Sequence, residues 1–138
     1  MRITRTADYG VRVMTRLAAA PIGTRMTVAE LAQESQSTVA FTGKILQRLV
    51  GARLVVSHRG FEGGFELARQ ADTITLLDIV TALDGKLCIN ECMPEGAGCD
   101  RAPTCAAHKV WLKAQDALAK VLSSENLAQM AAGQVCEG

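Results

Sequence analysis

The sequence lacks the features that would place it in a membrane, outside the cell or among the enzymes. No apolar run approaches the ~18 residues that a bilayer-spanning helix needs, and the start Met1–Arg5 is not followed by the apolar stretch of a secretion signal. No Ser/His/Asp set, phosphate-binding glycine loop or motif of paired acids is present. We therefore expect a cytoplasmic protein without a membrane partner, and not an enzyme.

The composition indicates a folded chain with an uneven charge distribution. Of 138 residues, 49% are hydrophobic and 21% charged, which is typical of one globular domain with an appendage. Residues 1–65 carry nine Lys/Arg and four Asp/Glu, a net charge of +5, whereas residues 66–138 carry a net charge of −4. The basic half is suited to a polyanion, which points weakly to nucleic acid.

Hydrophobic periodicity predicts three helices in the first third of the chain. The first runs from about Thr6, its predicted N-cap, to Ala20 before Pro21. A capping-box pattern, Thr27 with Glu30, opens a short second helix to about Ser35. Ser37 or Thr38 caps a third helix to about Gly51, with Val39, Ile45, Leu46 and Leu49 on its predicted buried face. Two short helices across a tight turn make a helix-turn-helix.

The following segments complete a winged helix-turn-helix with a long C-terminal helix. Two β-type runs, 54–59 and 65–67, flank a glycine-rich turn and predict a hairpin, the wing. After a helix capped by Thr75, residues 84–104 lose periodicity. A long helix capped by Thr104 then runs to about Leu122. Its apolar stripe needs a partner, either a second copy or the domain itself; the stripe is Ala107, Val110, Trp111, Ala114, Ala117, Leu118, Val121 and Leu122.

Four of the five cysteines lie within eighteen residues, in the spacing Cys88-x3-Cys92-x6-Cys99-x5-Cys105, with His108 three positions further on. In a chain expected to be cytosolic, such a cluster indicates metal or redox chemistry rather than structural disulfides. The spacing lacks the short C-x2-C steps of structural zinc sites, which favours an iron–sulfur cluster. Zinc, a metal-free thiol switch, and reduced cysteines without a ligand remain alternatives. The fifth cysteine, Cys136, is predicted to be a free thiol in the tail.

Several of these segments together resemble the Rrf2 family of bacterial regulators. They are the start Met1–Arg12, the segment Lys44–Leu49, the wing Arg59–Gly64 and the cysteine loop, and they follow the family's order along nearly the whole chain. The resemblance implies a mainly α protein with a small β-hairpin, a winged helix-turn-helix that dimerises through its long C-terminal helix. It also implies that the cluster ligands are Cys92, Cys99 and Cys105.

The sequence offers two candidates for the fourth ligand, and they match two different patterns within that family. His108 matches IscR-like members, in which a histidine three residues after the last cysteine goes with a 2Fe–2S cluster. The segment Thr6-x-Asp8-Tyr9-Gly10 matches NsrR-like members, in which the aspartate comes from the partner subunit and goes with a 4Fe–4S cluster. Asp8 also has a simpler interpretation, as an acid in the first turn of a helix. Cys88 is extra to the pattern; it is a spare ligand, a replacement ligand during cluster conversion, or a bystander.

The residues expected to contact DNA lie on the third helix, the wing and the N-terminus. The third helix enters the major groove, and an arginine at the wing can enter a minor groove. The predicted set is Arg2, Arg5, Ser37, Thr38, Ala40, Phe41, Lys44, Arg48 and Arg59. A solvated basic face is the alternative for the arginines, and a core position is the alternative for Phe41.

We thus predict four segments: a DNA-binding domain over 1–83, a cluster-binding loop over 84–104, a dimerisation helix with a short C-terminal helix over 105–132, and a tail over 133–138. The predicted function is a homodimeric regulator of transcription, a repressor by family analogy. It binds a double-stranded operator under control of an iron–sulfur cluster. The alternatives are a thiol- or zinc-based redox regulator on the same scaffold and, less favoured, an iron–sulfur electron-transfer protein.

Overall fold

Helix α1, Arg5–Ala19, lies at the centre of the fold, and the computed structural model describes residues 2–133 around it. The Oγ1 of Thr4 accepts a hydrogen bond from the Ala7 N–H at 3.1 Å and caps the helix. The predicted cap, Thr6, is therefore wrong, because it lies inside the first turn. The helix ends where Ala20 is extended, as expected for a residue before proline.

The helix-turn-helix consists of α2, Val28–Glu34, and α3, Val39–Gly51. The predicted capping box is confirmed, since Thr27 and Glu30 satisfy each other's backbone N–H at 3.0 and 3.2 Å. Thr38 caps α3 by accepting from the Phe41 N–H at 3.1 Å. The predicted burial of Val39 is wrong: the residue is 53% exposed, because the first turn of α3 projects from the core.

The wing is a two-stranded antiparallel sheet of β1, Val55–His58, and β2, Gly64–Leu67, in the register Val55↔Leu67. The segment before α2 joins its edge, because Met26 and Phe65 exchange two backbone hydrogen bonds of 3.0 and 2.8 Å. Gly64 makes this approach possible: with φ of +145°, a Cβ there would lie 2.8 Å from the Met26 carbonyl oxygen. The predicted hairpin is confirmed.

Three helices follow a short 3-10 turn at Ala71–Thr73: α4, Leu76–Asp84, α5, Ala106–Ser124, and α6, Leu127–Ala131. Thr75 caps α4 as predicted. Thr104 does not cap α5, because the N-cap is Cys105, and the Thr104 hydroxyl donates to the Arg101 carbonyl instead. Helix α5 also runs two residues beyond its predicted end.

The hydrophobic core forms around α1, which packs against α3, α4 and α6 and also touches α2 and β2. Its largest fully buried side chains are Met14, Leu31, Ile45, Leu46, Leu49, Ile74, Ile79, Leu83 and Leu127. The Leu83 side chain packs directly on the backbone of α1 at Gly10, where a Cβ would lie 2.1 Å from a Leu83 methyl carbon. The predicted fold, mainly α with a small β-hairpin, is confirmed.

Helix α5 packs against α4. No residue of α5 is buried, and among its large apolar side chains Val110, Trp111 and Val121 are exposed. Leu118 and Leu122, the remaining large members of the predicted stripe, are half-buried. Within the described part of the chain, no helix has both the length and the apolar character that a bilayer crossing requires.

Candidate functional site

The cysteine loop between α4 and α5 folds around the backbone carbonyls of Asn90 and Glu91. The Asn90 oxygen accepts from the Met93 N–H at 3.1 Å, and the Glu91 oxygen accepts from the Gly98 N–H at 2.8 Å. Gly96 has no room for a side chain, because a Cβ would lie 2.4 Å from the Glu91 oxygen. The Met93 side chain is buried. The loop is thus a folded unit rather than an extended connection.

Three cysteines of the loop border one cavity together with His108. Cys92, Cys99, Cys105 and His108 line a space of about 100 Å³, enough for a group of several atoms. Cys105 and His108 are brought together by the start of α5, where the His108 N–H donates to the Cys105 carbonyl at 3.2 Å. The remaining lining residues are Asn90, Glu91, Ala102 and Trp111.

The chemical state of these four side chains suits a ligand. All three thiols are free. The Nδ1 atom of His108 is buried and has no hydrogen-bond partner among the described residues. No group of three or more His, Cys, Asp or Glu in residues 2–133 is arranged to hold a single metal ion. Thiolates and imidazoles are side chains that hold iron–sulfur clusters, so the donor types around this space fit such a group.

Cys88 lies outside this arrangement, although it belongs to the same loop. It does not border the cavity, and its thiol donates to the Asn90 carbonyl at 3.3 Å. The next residue, Ile89, anchors the loop to α5, because its N–H donates to Gln115 Oε1 at 3.0 Å. The predicted free thiol Cys136 lies outside the described residues.

Asp8, the alternative fourth ligand, is elsewhere in the same protomer. It borders a separate surface depression with Arg2, Ile3, Thr4 and Arg5. Its carboxylate accepts from Arg12 Nη2 at 3.2 Å, an exposed i,i+4 pair. Within one chain, the structure brings His108 to the cysteine cavity and does not bring Asp8 there.

The predicted DNA-contacting residues of α3 lie largely on its exposed face. Ala40, Lys44 and Arg48 border an open groove that Val28 of α2 also lines. Ser37 is half-buried. Thr38 is exposed, but its hydroxyl oxygen already serves as the α3 cap. Arg59 at the end of β1 and Arg2 at the N-terminus are both exposed.

Phe41 and Arg5, from the same predicted set, belong to an aromatic cluster that sequence reasoning missed. The half-buried Phe41 ring meets Tyr9 edge-on, with centroids 5.6 Å apart. The Arg5 guanidinium carbon lies 5.2 Å from the Tyr9 centroid and 5.7 Å from that of Phe41, within cation–π range. The cluster joins the start of α1 to the first turn of α3. The only sequence signal was the presence of two of the chain's few aromatic residues.

A second contact that the sequence did not reveal joins α1 to the cysteine loop. Asp84, the last residue of α4, accepts hydrogen bonds from Thr4 through both carboxylate oxygens, one from the hydroxyl and one from the N–H at 3.3 Å. Gly85, with φ of +80°, then starts the loop. The cap of α1 and the entry of the loop are therefore held together.

A helix-turn-helix with an exposed basic helix face and a hairpin wing defines a winged helix-turn-helix DNA-binding protein. The chain belongs to the Rrf2 family, described as iron-dependent transcriptional regulators, whose model matches residues 3–133. The family consists of transcriptional regulators and not of enzymes, as expected. The resemblance inferred from the sequence is thus confirmed.

Relatives and solved structures agree with this family. An HTH-type transcriptional regulator of Mycobacterium tuberculosis is 36% identical over 137 residues, which are 99% of this chain and 85% of the relative. The structure of CymR, the global cysteine regulator of B. subtilis, is similar with a TM-score of 0.79 and 26% identity, covering 96% of this chain and 97% of that one. T. potens IscR gives 0.77 and 25%, covering 100% and 94%.

Proposed function

We propose that this protein is a homodimeric transcriptional repressor whose DNA affinity depends on an iron–sulfur cluster held by Cys92, Cys99, Cys105 and His108. One observation carries the proposal: three free thiols and an imidazole with a buried, unpaired nitrogen border the same cavity. Thiolates are the usual protein ligands of iron–sulfur clusters, and histidine replaces some of them in certain centres. The family description as iron-dependent supports iron over zinc.

His108 is the proposed fourth ligand because of its position in the protomer. It lines the cavity, while Asp8 lies in another depression and is paired with Arg12. By the resemblance, a histidine ligand goes with a 2Fe–2S cluster. When bound, the cluster supplies a redox-active group that reacts with oxygen and nitric oxide. Asp8 from a partner subunit remains the alternative, and a variant of Asp8 tests it.

The dimer is proposed to form through α5. The exposed side chains are Val110, Trp111, Ala114, Ala117 and Val121, and they follow one another at intervals of one, three, three and four residues. Such an exposed stripe of apolar and small side chains allows two identical helices to approach closely. A symmetric pair would present two α3 helices to a two-fold symmetric operator.

The contacts of the loop offer a route from the cavity to the DNA-binding surface. The loop begins at Asp84, which holds Thr4 at the cap of α1. The first turns of α1 contact the first turn of α3 through Tyr9 and Phe41. A change in the loop's conformation would therefore act on the α1 N-terminus and, through it, on the placement of α3. The protein would then have two conformations that differ in the placement of α3, and the cluster would shift the balance between them.

Anaerobic purification and reconstitution test the proposal, with iron and sulfide assays, an absorption spectrum, and DNA binding before and after nitric oxide. We expect Cys92→Ser to lose the cluster and the DNA response. Cys88→Ser is the matched control, because that thiol lies outside the cavity, and it should load iron like the wild type. His108→Ala should lose or alter the cluster spectrum, whereas Asp8→Ala should not. A colourless wild-type protein, or Cys92→Ser with an unchanged nitric-oxide response, would refute the cluster.

A thiol switch is the second candidate, favoured by the similarity to CymR, a structure of which is described as an oxidised form. Cys99 and Cys105 are exposed free thiols and can react with an oxidant. This candidate predicts an iron-free protein whose DNA affinity changes with peroxide and recovers with dithiothreitol. Mass spectrometry of the oxidised protein would then find a disulfide or a sulfenic acid in the loop.

A further inference from the structure

The turn at the tip of the wing, residues 59–63, is a tight turn that carries one large apolar side chain. It is closed by the Gly63 N–H, which donates to the Gly60 carbonyl at 2.9 Å. Gly60 has a φ of +98°, and a Cβ at Gly63 would lie 2.6 Å from the His58 carbonyl oxygen. Between these glycines, Phe61 is 105% exposed, so no other described side chain covers its ring.

The position of this tip is fixed from both sides of the hairpin. Arg25 Nη1 donates to the Glu62 carbonyl at 3.3 Å, which ties the turn to the segment before α2. Next to the turn, where His58 pairs with Gly64, His58 Nε2 and Glu66 Oε1 lie 2.5 Å apart across the two strands. The turn that carries the exposed Phe61 ring is therefore linked to the segment before α2 by a hydrogen bond.

The surroundings of the tip indicate what covers the ring. Arg59, two residues before Phe61, is exposed, and Arg25 shares a surface depression with Glu62 and Gly63. These cations lie in the half of the chain that carries a net charge of +5. Arginine favours the strongly negative potential of a narrow minor groove, and apolar side chains beside such cations wedge between base steps.

We propose that Phe61 is an apolar minor-groove contact: its ring enters the groove beside Arg59 and partly unstacks one base step while α3 lies in the adjacent major groove. The partner is double-stranded DNA with a flexible pyrimidine–purine step where the wing lands, since such steps unstack most easily. The inference rests on the proposed DNA-facing surface and adds a source of sequence preference that needs no hydrogen bond to a base edge.

The test measures binding of the full-length protein to a duplex of about 30 base pairs selected by the wild type from a random pool, in a series of KCl concentrations. Phe61→Ala is expected to weaken binding about tenfold, as for the loss of one base–aromatic stack. The slope of log Kd against log salt stays unchanged, because no charge is removed. Arg59→Ala lowers that slope by about one. Ile22→Ala is the matched control, a side chain 107% exposed that borders the groove between α1 and α6; it should bind within about twofold of the wild type.

A second readout separates a wedge from a simple surface contact. Energy transfer between dyes on the duplex ends reports bending, and wedge insertion bends DNA by about 20–90°. Phe61→Ala should bend the duplex less, and an A-tract in place of the flexible step should weaken the wild type but not this variant. If Phe61→Ala matches the wild type in affinity and in DNA bending while Lys44→Ala weakens binding, the proposed insertion of Phe61 is refuted. The proposal that the protein is a DNA-binding regulator would be unaffected. If the wild type selects no duplex, both proposals fail.

Discussion

Gly96→Ala is expected to open the cysteine loop while leaving the core folded. A Cβ on residue 96 would lie 2.4 Å from the Glu91 carbonyl oxygen and 2.8 Å from that of Asn90. Both obstacles are backbone atoms, so a side-chain rotation cannot relieve them. The segment that carries residue 96 must move away from Asn90–Glu91, the turn that the loop folds around.

The loss of stability of the closed loop can be worked out from the hydrogen bonds that this movement breaks. Residue 96 donates to the Met93 carbonyl at 2.9 Å, and Gly98 donates to the Glu91 carbonyl at 2.8 Å. At about 1 kcal/mol net for each bond, the closed loop loses about 2 kcal/mol. The core of α1–α4 and α6 contains neither bond, so the melting temperature should change little while local opening becomes about 30-fold more frequent.

Hydrogen exchange followed by mass spectrometry checks this on the metal-free protein. Peptides that contain Gly98 should exchange about 30-fold faster in Gly96→Ala, with unchanged rates in α1. Gly51→Ala serves as the control: a Cβ there meets nothing within 4 Å, so exchange in the loop should stay at the wild-type rate. Wild-type protection at Gly98 in the Gly96→Ala protein would refute the steric reasoning. If a cluster is present, the same variant should also retain less iron after reconstitution.

Three further predictions concern the cap of α3, the α5 stripe and the α1–α4 contact. Thr38→Ala should lower the free energy of unfolding by about 1 kcal/mol in urea titrations, and a Ser replacement should restore it, since only the cap oxygen matters. Val121→Glu should convert the proposed dimer to a monomer in light scattering, whereas Lys120→Glu, off the stripe, should not. Asp84→Ala removes two exposed hydrogen bonds from Thr4 and should lower the free energy of unfolding by no more than about 2 kcal/mol, at about 1 kcal/mol for each bond. It should nevertheless shrink the difference in DNA affinity between iron-loaded and iron-free protein, and an undiminished difference would exclude this contact from the route.

Local signals in the sequence were sufficient for most of the secondary structure. The Thr27–Glu30 box and the Thr75 cap act within one helical turn, so their residue types indicate the helix start directly. Val39 was predicted to be buried because hydrophobic periodicity indicates which side of a helix faces the core. It does not show that the first turn of the helix extends beyond the elements that pack against it. Thr104 is a suitable residue type for a cap, but the loop places it one residue too early.

The residues that line the candidate site could be predicted from the sequence, but the contacts that hold the loop in place could not. The spacing of the cysteines and the resemblance gave the residues that line the cavity. The Asp84–Thr4 contact joins positions 80 residues apart, and the Tyr9–Phe41 contact joins two helices. Neither contact can be predicted from a single sequence, because each depends on how the helices pack. The role of Gly96 likewise depends on which carbonyls face it.

The unpaired nitrogen of His108 bears on the choice between a cluster and a thiol switch. The scaffold alone does not decide, since CymR and IscR structures match this chain equally well. A buried polar nitrogen without a partner costs about 1–3 kcal/mol, and His108, which lines the cavity with three free thiols, carries such an atom in Nδ1. A disulfide between two of those cysteines would leave that cost in place. A ligand that reaches this nitrogen as well as the thiols would offset it, and for this reason we favour the proposed cluster over the thiol switch.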